Sequence, residues 1–167
     1  MAYRTRKARL ISLVHSVTQQ TWGYIVYEIL DPIQDSQQCF IAVGGALSDV
    51  VEAYAAPTIN LAYIRVLSKY QQRGLGALLT IAALSHAKDE ASSAVVIVAS
   101  PYMKRIVEHL GFEAVGVCGF TNSDVRQSLE RVETVEMMDR ALHKLQESDY
   151  CWLWRVWRSL SCRSGST

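Results

Sequence analysis

Between Ile59 and Phe120 the sequence alternates two kinds of apolar run, and this limits the available folds more than any other feature. INLAYIRVL (Ile59–Leu67) reads as a buried strand. GLGALLTIAALSHAKDE (Gly74–Glu90) places Leu75, Leu78, Leu79, Ala82 and Ala83 at helical spacing. SAVVIVAS (Ser93–Ser100) is a short continuous apolar run, the pattern of a strand buried on both faces. PYMKRIVEHL opens on Pro101, favourable in a first helical turn, and stops at Gly111. FEAVGVCGF (Phe112–Phe120) then returns as a strand. A helix in each strand-to-strand connection implies a parallel pair joined by a right-handed crossover.

The flanks read differently. RLISLVHSV (Arg9–Val17) and TWGYIVYEIL (Thr21–Leu30) are strand-like, with TQQ (Thr18–Gln20) placed to close a hairpin. Asp31–Gln38 has loop composition, CFIAVGG (Cys39–Gly45) resembles a short strand, and ALSDVVEAYAA from Ala46 a short helix stopped by Pro57. Past Thr121, Ser123 is placed to cap a helix running to about Glu147. In it Val125, Leu129, Val132, Val135, Met138, Leu142 and Leu145 recur three or four apart. Such an amphipathic helix packs on its own domain or meets a second copy. The tail YCWLWRVWRSL, with Trp152, Trp154 and Trp157, fits two states. As a helix it puts Leu153, Val156, Trp157 and Leu160 on one face; as a strand it extends a sheet edge. Residues 1–120 are thus expected as the core and 121–167 as a C-terminal extension.

A chain of 167 residues with half its residues hydrophobic and a fifth charged is sized for one globular domain. The net charge of +1 points to neither nucleic acid nor an acidic partner. The cluster Arg4, Arg6, Lys7 and Arg9 reads as a solvated basic arm. No apolar run approaches the roughly 20 residues that span a bilayer. The basic-then-apolar N-terminus is interrupted by Ser12 and His15 and is set aside as a signal peptide. Cys39, Cys118, Cys151 and Cys162 form no C-x-x-C pair and no metal-ligand spacing, so reduced thiols, a cytoplasmic setting and no metal are expected.

YQQRGLGALL (Tyr70–Leu79) is where chemistry enters. A strand that delivers a glycine-rich turn into a helix makes an anion site, because the first helical N–H groups lack intrahelical partners and the helix dipole adds positive potential. Gly74 and Gly76 open those amides to a phosphate, and Arg73 adds charge nearby. Leu79 replaces the third glycine of a dinucleotide fingerprint, and no G-K-[ST] follows, which disfavours Rossmann and Walker sites.

YIRVLSKYQQRGLGALL resembles the signature of the GNAT superfamily of N-acetyltransferases, [Q/R]-x-x-G-x-[G/A], with Gln71, Gly74 and Gly76 at its fixed positions. SPYMKRIVEHLGFEAVG (Ser100–Gly116) is similar to that family's second motif, closing on Leu110-Gly111-Phe112. The resemblance implies a mixed, mostly antiparallel sheet with one splayed parallel strand pair, flanking helices and a helical C-terminal extension. It implies acetyl-CoA as cosubstrate and acetyl transfer to a primary amine of a protein or small molecule. Pantetheine would pair with backbone at Val66, Leu67 and Ser68. The pyrophosphate would rest on Gln71, Gln72, Arg73, Gly74, Leu75, Gly76 and Ala77, with Ser100 near the cofactor.

The departures bear on catalysis. The tyrosine many relatives carry four residues before the glycine of L-G-F is Val107 here. The usual glutamate on the preceding strand is Val95, the asparagine at its end is Ser100, and an acid of the earlier strand corresponds to Asn60. Tyr102 is the replacement proton donor in the right neighbourhood; His109 reads as a surface cap or a catalytic group, Tyr63 as core or substrate-facing, and Cys118 as core or an acyl carrier. The competing expectation is a GNAT-fold binding module acting through a protein partner or a homodimer contact in 121–167.

Overall fold

The computed structural model describes residues 2–15, 18–33, 57–98, 100–115, 118–146 and 152–158. The strand expected at Cys39–Gly45, the helix from Ala46, and Cys39, Cys151 and Cys162 lie outside them. Among the described residues seven strands form one sheet: β1 (Ala2–His15), β2 (Thr21–Ile33), β3 (Thr58–Val66), β4 (Ser93–Ile97), β5 (Glu113–Val115), β6 (Gly119–Asn122) and β7 (Trp152–Arg158). Four α-helices of the described residues accompany them: α1 (Leu75–Ala87), α2 (Pro101–His109), α3 (Val125–Glu130) and α4 (Val132–Gln146). The spatial order is β5-β6-β4-β3-β2-β1-β7. β3 and β4 run parallel, and the other pairs are antiparallel.

Period-two alternation sorts the residues of the sheet. Ile25, Tyr27 and Ile29 of β2 are fully buried and share a face with Ile11 and Leu13 of β1 and with Ile59 and Leu61 of β3. Helix α1 packs on this face, touching β1, β2 and β3. The opposite face carries Tyr24, Val26 and Glu28 of β2 beside Asn60, Tyr63 and Arg65 of β3. A bulge at Ala62, between the pairs Val26–Tyr63 and Tyr27–Leu61, keeps the two sets on their own sides.

Several expectations are corrected. β1 begins at Ala2, so the basic cluster lies in a strand instead of a loose arm, and Arg9 is buried. β2 runs through Asp31, Pro32 and Ile33 because these pair with Arg4, Tyr3 and Ala2. Helix α1 is buried on nearly every side, not along one stripe, because α4 covers it opposite the sheet. The single strand expected over Phe112–Phe120 is the hairpin β5–β6. The tail is a strand: β7 pairs with β1 from Arg9–Arg158 to His15–Trp152. The helix expected from Ser123 is two helices broken at Arg131, whose ψ of 144° is extended. Its cap is Asp124, which accepts from the Gln127 N–H. Asp124→Ala removes that acceptor and is expected to cost about 1 kcal/mol, read by urea unfolding.

Leu110-Gly111-Phe112 is a helix stop. Gly111 is left-handed (φ 85°), its N–H bonds to the Glu108 carbonyl, and the Phe112 N–H reaches the Val107 carbonyl. That is a Schellman closure of α2. Thr134 buries its hydroxyl on the Ser128 carbonyl, and Ala141 packs against Gly74, which seats α4 on α1.

Candidate functional site

The parallel pairing of β3 with β4 covers only Thr58–Ser93, Ile59–Ala94, Asn60–Val95 and Leu61–Val96. Beyond Leu61, β3 continues to Val66 bonded to β2 alone, while the Val98 N–H of β4 turns to the Cys118 carbonyl. The two strands therefore part, leaving a V-shaped gap.

Strand parity says which backbone groups face that gap. The Leu67 N–H donates to the Trp22 carbonyl, at 2.9 Å, so Val66 and Gly23 form a non-hydrogen-bonded pair. Val66, and Ile64 two residues earlier, must then direct their N–H and C=O groups to the open edge. One is already engaged: Gln71 donates its Nε2 to the Val66 carbonyl at 3.1 Å.

A cavity of about 450 Å³ fills the gap, lined from β3 by Ile64, Arg65 and Val66 and from the turn by Gln71 and Gln72. Gly76 completes the lining from α1, and Ser100, Tyr102, Met103 and Ile106 from the α2 side. The glycines have separate reasons. Gly74 caps α1 with φ 77°, a conformation costly to other residues. Gly76 is hemmed in: a Cβ there would lie 3.0 Å from Tyr102 Cε1 and 3.1 Å from Ile106 Cδ1. Gln72 is also left-handed, at φ 65°. Alternating left-handed residues with the unpaired N–H groups of a helix start make a concave anion seat.

Six of the residues named from sequence line this cavity: Val66, Gln71, Gln72, Gly76, Ser100 and Tyr102. Leu67 is engaged elsewhere, its N–H on Trp22 and its carbonyl accepting from the Tyr70 N–H. Ser68, Gly74, Leu75 and Ala77 are not lining residues; Leu75 and Ala77 face the core. Arg73 lays its guanidinium over Trp22 and Tyr70, 5.2 and 5.7 Å from the ring centres, where those rings stack at 3.8 Å. The Ser100 hydroxyl caps α2 by accepting from the Met103 N–H.

Tyr102 sits against Gly76, at the glycine end of the cleft. Leu61, where the strands part, is five residues back along β3 from Val66, roughly 16 Å of extended chain. Burial raises the pKa of the phenol, which is therefore a hydrogen-bond donor at neutral pH. Val107 is fully buried, and α2 turns Tyr102, Met103 and Ile106 toward the cleft instead. A tyrosine at 107 would meet the core. Val95 is also fully buried, His109 and Tyr63 are exposed, and Cys118 is a half-buried free thiol. Among the described residues no His/Cys/Asp/Glu cluster has metal-binding geometry.

Sequence reasoning missed Ile64, Arg65, Met103 and Ile106. Parity along β3 marks Ile64 once Val66 is placed, and helical spacing marks Ile106 once Tyr102 and Met103 are. It also missed Glu28, whose Oε1 accepts from Asn60 Nδ2 at 2.8 Å. Only the register of β2 on β3 brings those two together.

The fold agrees with comparisons to known proteins. Residues 15–138 match the acetyltransferase (GNAT) domain, more than half of the chain. No curated protein matches it. Among solved structures, the KacTA–DNA complex is similar at 15% identity and TM-score 0.51, covering 74% of this chain and 71% of the other. AtaTR bound with AcCoA is similar at 16% identity and TM-score 0.51, covering 72% of each. At such identities the likeness concerns the fold. Acetyl-CoA is the cosubstrate of the matched family, and the chain belongs to the GNAT acetyltransferase family.

Proposed function

We propose that this protein transfers an acetyl group from acetyl-CoA to a primary amine by direct attack, without a covalent enzyme intermediate. The observation that carries the reading is the parting of β3 from β4 after Leu61–Val96, which opens onto the glycine-capped start of α1. Ile64 and Val66 offer backbone groups to the pantetheine amides. The N–H groups around Gln72 to Ala77 receive the pyrophosphate. Tyr102, placed at that end, donates to a phosphate oxygen. Arg65 contributes positive charge at the cleft wall. Holding amine and thioester together supplies most of the acceleration. The motif-bearing stretch 59–120 carries acetyl-CoA, and a cytoplasmic setting belongs to the same proposal. Calorimetric titration with acetyl-CoA, followed by thiol release with a panel of amines, tests it. Saturable one-site binding and amine-dependent release are expected; no heat at high acetyl-CoA concentration contradicts it.

A second reading, partner binding through the C-terminal part, rests on Val132, Val135 and Leu142 of α4. They are 69%, 43% and 37% exposed on a helix whose other side packs on α1. Replacing all three with serine should then reduce self-association measured by light scattering. An unchanged mass at every concentration removes this reading.

A further inference from the structure

On the premise that acetyl-CoA lies in the parted strands, we infer that Glu28, held by Asn60, is the group that receives the acceptor amine and takes its proton. Aminolysis needs an unprotonated amine, yet most primary amines are cations at neutral pH. The residues at the family's usual acid and base positions, Val95 and Val107, are buried and apolar. Among the described residues, Glu28 is a carboxylate that the register of the sheet brings beside β3 at this level.

Three observations place it. Glu28 and Asn60 are cross-strand partners on β2 and β3, joined by the 2.8 Å bond from Asn60 Nδ2 to Glu28 Oε1. Asn60 is paired on its other side with Val95, one residue before the last β3–β4 pair. The carboxylate is thus one strand removed from β4, level with the last paired residues before the gap opens. Both side chains lie on the sheet face opposite α1, with Glu28 half-buried and Asn60 buried. Along the same face Tyr63 is 53% exposed and lies 5.9 Å from Tyr24, ring to ring, giving the site an aromatic wall suited to an alkylammonium. Asn60 is a positioning residue: its amide fixes one carboxylate oxygen, so the carboxylate is presented in a defined orientation.

The proton balance closes. Glu28 accepts one proton from the ammonium, and the freed nitrogen lone pair forms the C–N bond. The C–S bond breaks with its electron pair leaving on sulfur. The thiolate takes the second nitrogen proton, and Glu28 returns its own to water. The products are the amide, CoA thiol and one proton.

The test compares Glu28→Gln with wild type on two probes, n-butylamine, cationic at neutral pH, and hydroxylamine, already unprotonated there. Glutamine keeps an oxygen for Asn60, so unfolding temperature and acetyl-CoA affinity should match wild type. Glu28→Gln should lower n-butylamine turnover by about 10²–10⁴-fold and enzyme-dependent hydroxylamine acylation much less. Equal losses on both probes make Glu28 structural, and no loss removes it from the reaction; either overturns the inference. A wild type that binds acetyl-CoA and acylates hydroxylamine but never n-butylamine overturns it too. Failure of the wild type to bind acetyl-CoA instead overturns the acetyltransferase reading beneath it.

Discussion

Gly76→Val should weaken acetyl-CoA binding at least about a hundredfold while leaving a folded protein. A Cβ at position 76 already meets Tyr102 Cε1 at 3.0 Å and Ile106 Cδ1 at 3.1 Å, and valine adds two methyl groups beyond it. Those methyls occupy the space over the first turn of α1, where the N–H groups need a phosphate oxygen at hydrogen-bond distance. Overpacking of this kind typically costs about 1–3 kcal/mol of stability, a loss a domain of this size is expected to survive. Tyr102→Ala alone, which removes the ring without adding methyls over the amides, should lower affinity much less than Gly76→Val. Calorimetry alongside thermal unfolding reads both. Wild-type affinity in Gly76→Val would mean that the phosphates sit elsewhere.

The second large effect is on stability. Arg9→Ala is expected to cost about 2–3 kcal/mol, because it removes a two-point, charge-assisted contact made by a buried guanidinium. Arg9 is 7% exposed and grips both carboxylate oxygens of Glu90, with Nη2 to Oε1 at 2.6 Å. Its guanidinium also lies 5.9 Å from the Tyr27 ring centre. The bridge ties β1 to the segment between α1 and β4, so its loss loosens the seat of α1. The bond to Glu90 raises the pKa of Arg9 above an ordinary value that is already very high. Its contribution is therefore fully present at neutral pH, and on raising the pH it would be lost only in extreme alkali. Urea unfolding reads the loss. A cost below about 1 kcal/mol for Arg9→Ala would contradict this account.

The segment Ile59–Phe120 was legible because its signals are local. Apolar runs of strand and helix length, Pro101 at a helix start and Gly111 at its end each act within a few residues. The turn into a helix at Gly74 was legible for the same reason. What escaped depends on pairing. The tail from Trp152 to Arg158 has no preference of its own between helix and strand; β1 decides it by offering an open edge. Arg9 looked like part of a solvated arm because its partner, Glu90, is 81 residues away. Leu67 was expected to meet pantetheine, but which residues of β3 face outward depends on its hydrogen-bond parity with β2. Glu28 was invisible for the related reason that its proximity to the gap exists only through Asn60.

The most direct test of the central claim is hydrogen exchange of individual backbone amides with and without acetyl-CoA. The account predicts new protection at Ile64 and Val66 and from Gln72 to Ala77, with Arg65 and Leu67 little changed because β2 already holds them. Protection confined to other elements, or none at saturating acetyl-CoA, would contradict a cofactor seated between β3 and β4.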